Sequence, residues 1–321
     1  MDLLLFDDII KSSKNILIMS HINPDGDTLG SMCGLYSVIY DNYKKKPDML
    51  VMSEPPEIYN YLPYISLAKH VEDYDKSREY DLVINVDIAS YDRMFESTPL
   101  FDKAKYTVNI DHHVTNDLYA KLNYVDENAS STGELLYYLF EDIGLKISDK
   151  TAINLYTAIL TDTGSFRYSN TTSKALSSAS KLVDYGVSPV DIYKKCYETN
   201  TKAHVLFQAN CINNAIFTDN DRIAYSIVYK KDMEKYNVPE DCTEGLSESL
   251  RAIKSVEVSF IVKQLSATLS KISMRSESID VSKICSSFGG GGHKLAAGCL
   301  IKAKPVSAAD KVVQEIKKFL V

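Results

Sequence analysis

The 321-residue chain contains no tryptophan, and none of its apolar runs approaches the ~20 residues that cross a bilayer as a helix. A membrane-spanning helix is therefore not expected. The start, "MDLLLFDDIIKSSK", lacks the basic region of a secretory signal; Leu3, Leu4, Phe6, Ile9 and Ile10 instead suit one face of an amphipathic helix. A cytoplasmic location is the expectation. Cysteine pairs are also missing: Cys33, Cys196, Cys211, Cys242, Cys285 and Cys299 are scattered. That spacing argues against a zinc ribbon and against a disulfide framework, leaving the cysteines as small core or surface residues. Nor is there an excess of basic charge. With 36 Lys+Arg against 43 Asp+Glu the net charge is −7, which is not the profile of a protein that coats long nucleic acid.

What is present reads as an ordinary soluble globular protein, 45% hydrophobic and 25% charged, long enough for two domains. The charge is unevenly divided. Residues 1–200 carry 19 Lys+Arg against 30 Asp+Glu, whereas residues 201–321 carry 17 against 13, so one half suits cations and the other anions. The first half alternates apolar runs ("NILIMSH", "PDMLVMS", "YDLVINVDIAS", "YTVNIDHH") with helical spacing, the pattern of a mostly parallel sheet in an α/β fold. "SSTGELLYYLFEDIG" opens with helix-capping residues and stops at Gly144; "KTAINLYTAILTDTGSF" reads as a helix running into a loop. Helices with few strand signals follow. The spacing divides the chain into a domain over 1–185, a helical connection over 186–205 and a smaller α/β domain over 206–321. In the latter, "RIAYSIVY" reads as a strand set off by "TDND" from a helical run. "VEVSFIVKQL" with "ATLSKISMRS" reads as a strand pair, and the C-terminal segment as a helix.

The chemistry concentrates where those strands end. "SHINPDGDTLGS" puts His21, Asp25 and Asp27 within seven positions after "ILIM"; Asp87 follows "LVINV"; Asp111, His112 and His113 follow "TVNI". A helix cap or a polar loop histidine explains any one of these. Three coincidences on the edge where parallel sheets bind ligands are harder to dismiss. Asp162, in "LTDTGSF", is a further candidate that a helix-end turn would also explain. Carboxylates mixed with imidazoles suit Mn²⁺ or a related divalent ion rather than structural zinc. His21, Asp25, Asp27, Asp87, His112 and Asp162 are too many donors for one ion and about right for two, which points to phosphoryl chemistry. Downstream, "SFGGGGHKLAAG" exposes the backbone N–H groups of Gly289, Gly290, Gly291 and Gly292, a loop suited to an anion, with His293 and Lys294 beside it. Arg275, in "KISMRS", offers a bidentate fork for the same anion.

"HINPDGD", "VDIA", "DHH" and "DTGSF", in this order, resemble the motifs of the DHH phosphoesterases, and "GGGGHKLAAG" resembles the glycine motif of the DHH-associated domain. The resemblance implies two lobes, the first a Rossmann-like sheet with helices on both faces, with the active site in the cleft between them. It implies that His21, Asp25 and Asp87 hold one Mn²⁺ and that Asp27, Asp87, His112 and Asp162 hold the other, Mg²⁺ or Co²⁺ being substitutes. Asp111 would orient the histidines, His113 would touch the scissile phosphate, and Arg275 with Gly289 to His293 would bind the substrate's other phosphate or nucleotide. Among the family, the glycine-rich second lobe argues against inorganic pyrophosphatases. The modest length argues against a long-DNA nuclease. What remains is the stand-alone type similar to nanoRNases, which cleave short RNA oligonucleotides and dephosphorylate small adenine nucleotides such as 3'-phosphoadenosine-5'-phosphate. The implied reaction is two-metal activated hydroxide attack on a terminal phosphoester. Cyclic di-AMP hydrolysis, polyphosphate hydrolysis and a non-catalytic nucleotide sensor are alternatives. No partner of long duplex nucleic acid or membrane is expected, and a homodimer is left open.

Overall fold

Short runs of Ile, Leu, Val and Met without polar interruption suit strands covered on both faces, and the computed structural model builds them that way. It describes residues 3–75, 77–239 and 242–320; the side chains of Leu3 and Leu4, expected on the apolar face of the first helix, lie outside the described residues. The chain divides into two compact units, residues 1–199 and 200–321.

In the first unit, strands β1 (Ile16–Met19), β2 (Asp48–Val51), β3 (Ala68–His70), β4 (Leu82–Val86), β5 (Tyr106–Asp111) and β6 (Leu122–Val125) form one sheet in the order β3-β2-β1-β4-β5-β6. Every pairing is parallel. The helices are α1 (Leu3–Ser12), α2 (Gly26–Tyr43), α3 (Thr98–Asp102), α4 (Thr132–Asp142), α5 (Asp149–Asp162), α6 (Ser173–Asp184) and α7 (Pro189–Tyr197). Strand alternation divides the core in two. Ile16 and Ile18 of β1 face the side chains of α1, α2, α4 and α5, while Leu17 and Met19 face the opposite layer with Leu100 and Phe101 of α3. Each such fully buried side chain contributes roughly 1.5–3 kcal/mol. The expected caps form: Ser131 accepts from the Glu134 amide at the start of α4, and Pro189 occupies the first turn of α7 behind Ser188. Helices α2 and α5 cross closely. A Cβ at Gly30 would lie 2.5 Å from the Asn154 carbonyl oxygen, and one at Gly133 would lie 2.4 Å from the Ala158 Cβ.

The second unit comprises α8 (Lys202–Asn213), β7 (Ile216–Thr218), β8 (Ile223–Val228), α9 (Lys230–Tyr236), α10 (Leu246–Arg251), β9 (Val258–Gln264), β10 (Ser270–Ser276), α11 (Val281–Ser286), β11 (Gly291–His293), β12 (Ala296–Ile301) and α12 (Pro305–Lys317). Its sheet is mixed, in the order β11-β12-β10-β9-β8-β7. Only β8 and β9 are parallel neighbours, and β9 with β10 is the expected antiparallel pair. Phe260 and Val262 face α11 and α12, while Ile261 faces α8, α9 and α10.

The structure corrects the sequence reading at short and edge strands. β3 and β6 are short, partly exposed edge strands, interrupted by Lys69 and Asn123, that continuous apolar runs do not signal. The helical run expected up to "TDND" ends at Asn213, and β7 follows before a turn of three left-handed residues, Asp219, Asn220 and Asp221. The glycine run is not wholly a loop, since Gly291–His293 pair with β12 as an edge strand. All six cysteines are buried and free; none lies at the surface. Among the described residues, no helix is long and apolar enough to cross a membrane.

Candidate active site

Parallel strands deliver their C-terminal loops to one edge, and the motif residues meet there. His21 lies just beyond β1, Asp87 is the first residue after β4, and Asp111 ends β5. Asp25 caps α2, its carboxylate accepting from the Thr28 amide at 3.0 Å. Asp27 sits in the first turn of α2 and faces the start of α4: it accepts from the Thr132 and Gly133 amides at 2.8 and 2.9 Å. That helix N-terminus supplies both orphan donors and a favourable dipole. Asp162 closes α5.

Asp87 is at the centre. It adopts a left-handed φ of 61°, fixed by its amide donating to the Ile110 carbonyl at 2.9 Å. Its carboxylate accepts from the Thr28 hydroxyl at 2.5 Å and the Thr132 hydroxyl at 3.3 Å. Three imidazoles surround it: His21 Nε2 at 3.4 Å, His113 Nδ1 at 3.6 Å and His112 Nε2 at 3.7 Å. His112 Nε2 is also 3.7 Å from both Asp27 and Asp162.

The backbone sets which nitrogen each histidine offers. His21 Nδ1 lies 2.5 Å from the Ile22 carbonyl and His112 Nδ1 lies 3.3 Å from the Ala129 carbonyl. A carbonyl only accepts, so Nδ1 carries a proton in both rings; Nε2 donates toward the carboxylates while the imidazole is charged and would offer its lone pair to a cation once deprotonated. His113 also carries its proton on Nδ1, but toward a carboxylate instead of a carbonyl. Its Nδ1 is 2.7 Å from Asp111, whose other oxygen accepts from Asn116 at 2.5 Å.

Two separate donor groups result: His21 with Asp25 and Asp87, and Asp27 with His112 and Asp162, each with ligating atoms within 4.8 Å of one another. A third, Asp87 with His112 and His113, links them. The electrostatics show crowded negative charge. Burial, then the charges of Asp87, Asp162 and Asp25, raise the Asp27 carboxyl well above its ordinary value. Burial and the charges of Asp87 and Asp25 outweigh His112 and push Asp162 up to about 6. Burial alone would raise Asp87 too, but the hydrogen bond from His21 and the three imidazole charges hold it down to about 2. Burial opposes the charge on His113, and Asp111 and Asp87 overcome it, raising the imidazole to about 9. Four carboxylates facing inward with two imidazole Nε2 lone pairs fit divalent cations, which would relieve this repulsion.

The remaining candidates lie in the second unit. Arg275 on β10 donates to Glu248 at 2.7 Å and to the Met274 carbonyl at 3.0 Å. Register pairs Arg275 with Ala296 on β12, and Ala296 with His293 on β11, so Arg275 and His293 share one sheet face. Gly289 and Gly290 form the turn before β11. Gly292, at φ 142° with the Ala296 carbonyl 2.6 Å from where a Cβ would stand, admits no side chain.

Motif reasoning missed Thr28, Thr132, Asn116 and Asn170. Asn170 donates to the Asp162 carbonyl at 3.1 Å and its carboxylate at 3.3 Å. Thr28 and Thr132 were legible only as helix-start residues, and the two asparagines carried no signal.

Residues 15–159 match the DHH family, N-terminal domain, and residues 220–321 match the DHHA1 domain. Over 312 residues the chain is 32% identical to a probable bifunctional oligoribonuclease and PAP phosphatase NrnA of Streptococcus mutans, covering 97% of this chain and 96% of that one. The chain belongs to the DHH family. A second DHH relative, the bifunctional oligoribonuclease and PAP phosphatase NrnA of Bacillus subtilis, is 29% identical over 94% of this chain and 93% of its own. The DHH fold is shared with a solved exopolyphosphatase-related protein from Bacteroides fragilis, with a TM-score of 0.93 at 24% identity over 99% of this chain and 96% of that one.

Proposed function

We propose that the chain hydrolyses short oligoribonucleotides such as pApA to mononucleotides, and 3'-phosphoadenosine-5'-phosphate to AMP, with two divalent cations, preferentially Mn²⁺. The observation that carries this reading is the set of three donor groups, joined to one another through Asp87 and His112, in a chain similar over nearly its whole length to oligoribonuclease and PAP phosphatase proteins. His21, Asp25 and Asp87 would hold one cation and Asp27, Asp87, His112 and Asp162 the other. When bound, such cations supply Lewis acidity toward phosphate oxygens and toward water.

The protein groups would then act as follows. Thr28 and Thr132 hold Asp87 by hydrogen bonds, and the α4 N-terminus holds Asp27, so the donor set is fixed before substrate arrives. Asp111 keeps the proton on His113 Nδ1 and orients the ring. Raised toward the protonated form, His113 presents Nε2–H to a phosphoryl oxygen and can pass that proton to the departing ester oxygen as the P–O bond breaks and water adds to phosphorus. In the assignment of labour, residues 1–185 bear the chemistry, 186–205 connect, and 206–321 bind the substrate's second phosphate through Arg275, the Gly289 to Gly292 run and His293.

The test is turnover of pApA, a five-nucleotide RNA, 3'-phosphoadenosine-5'-phosphate and cyclic di-AMP at equal concentration with Mn²⁺. Preference for the linear substrates is expected. Preference for the cyclic dinucleotide would replace the proposed substrate class, and binding without product would remove the enzyme altogether.

A further inference from the structure

Immediately after α5 the backbone does something that neither the fold nor the donor groups require. Gly164, Ser165 and Phe166 are consecutive left-handed residues, with φ of 55°, 60° and 61°. Two of them are not glycine, and left-handed backbone strains any residue with a side chain. The segment is held by bonds that return to the helix end: Ser165 N to the Leu160 carbonyl at 2.7 Å, and Arg167 N and Tyr168 N to the Thr163 carbonyl at 2.9 and 3.0 Å. Phe166 is anchored edge-on against Tyr156. The product of this turn is the placement of Tyr168. Its ring lies so close over Gly164 that a Cβ there would stand 2.3 Å from it, yet the residue is 52% exposed. Strain that presents a half-exposed aromatic ring beside charged chemistry is a feature to be explained.

The ring borders a cavity of about 210 Å³, whose other walls include Tyr59, Tyr197, Cys196 and the two carboxylates Asp25 and Asp162. Tyr197 is fixed by its hydroxyl on the Leu160 carbonyl and by Tyr193 against its ring. The lining contains no Lys or Arg, so a phosphate is repelled from it. The cavity is also smaller than the ~300–1,000 Å³ that enclose drug-sized ligands, room for one flat ring system but not for a whole nucleotide.

We propose that this cavity is a nucleobase pocket, in which Tyr168 stacks on the base of a nucleoside whose esterified phosphate lies outside the cavity, at the cations that Asp25 and Asp162 would hold. The proposal rests on the phosphoesterase reading above and adds a specificity element within the first unit, separate from the glycine strand of the second. Stacking on an aromatic ring is tolerant of base identity, as a scavenger of mixed short RNA would need.

The experiment compares wild type, Tyr168→Phe and Tyr168→Ala on pApA and on two analogues, each lacking one of the two adenines, with Mn²⁺ present. Tyr168→Ala is expected to raise KM for pApA about tenfold with kcat within a factor of two. Tyr168→Phe should behave as wild type. One of the two analogues should have a raised KM already in wild type and be indifferent to Tyr168→Ala, which identifies the stacked nucleoside. Tyr168→Leu, which keeps volume without a ring face, should follow Tyr168→Ala if the latter is poorly folded. Equal loss on pApA and both analogues, or no change on any, overturns the pocket while leaving the function intact. Failure of wild type to hydrolyse pApA overturns the functional reading itself.

Discussion

The carboxyl edge of the first sheet and the glycine strand of the second unit hold their charged groups in opposite ways. Asp27, Asp87 and Asp111 are almost inaccessible, and each accepts at least two hydrogen bonds from donors on other elements. Arg275 is 35% exposed and shares its guanidinium with Glu248, itself 38% exposed, while Gly291–His293 lie open on an edge strand. The contrast follows the ligand each would take. A small hard cation tolerates little error in donor position, so its ligands must be braced in advance. A phosphate on a mobile nucleotide is larger and can be met by a side chain that lets go of another partner.

The comparison breaks most sharply at Asp87. Asp87→Asn removes the one carboxylate shared by two of the three donor groups and should lower pApA turnover by about 10³-fold, with Mn²⁺ binding by calorimetry reduced to match and an unchanged circular dichroism spectrum. Wild-type-like turnover in that variant would end the shared-ligand assignment. An intermediate effect belongs to the second unit. Arg275→Ala should raise KM about tenfold for 3'-phosphoadenosine-5'-phosphate and leave Mn²⁺ affinity alone. Glu248→Gln, which frees the guanidinium, should lower KM; a rise would mean that Glu248 orients Arg275 for the anion instead of competing with it.

The smallest expected effect comes from a carboxylate of the first unit far from the donor groups. Asp81 accepts from the Asn15 and Lys14 amides at 2.9 and 2.8 Å, and these bonds hold its carboxyl below the ordinary range. A depressed folded-state value stabilises above the unfolded pKa near ~3.9 and is lost as pH falls through the lower, folded one. Asp81→Asn should therefore cost about 1 kcal/mol at neutral pH and flatten the acid limb of a denaturation series. Catalysis should not change.

The same contrast explains what could be read from the sequence. β1, β2, β4 and β5 announced themselves because strands covered on both faces must be apolar throughout, and the acidic and histidine residues stood out against those runs. β3 and β6, covered less, needed no such composition. β11 hid inside the glycine run because the neighbouring backbone crowds position 292, where no side chain fits. In the site, the residues that carry charge were legible, and those that hold them were not. Thr132 reaches Asp27 from 105 positions away, and Asn116 and Asn170 are ordinary loop residues until the chain folds. Short-range pattern carries no information about such contacts.

In the proposed two-cation site, the close crossing of α2 with α5, and of α4 with α5, would bear on which cation fits. Asp27 rides on α2, its anchoring amides on α4 and Asp162 on α5, so the gap between the two carboxylates is set by how near the three helices come. Hydrogen atoms at positions 30 and 133 are what allow that approach. In that proposed site, ionic radius would be gauged by residues that never touch the ion: a methyl group at either position would widen the seat, and selection among cations of similar charge but different size could act there without altering a single ligand.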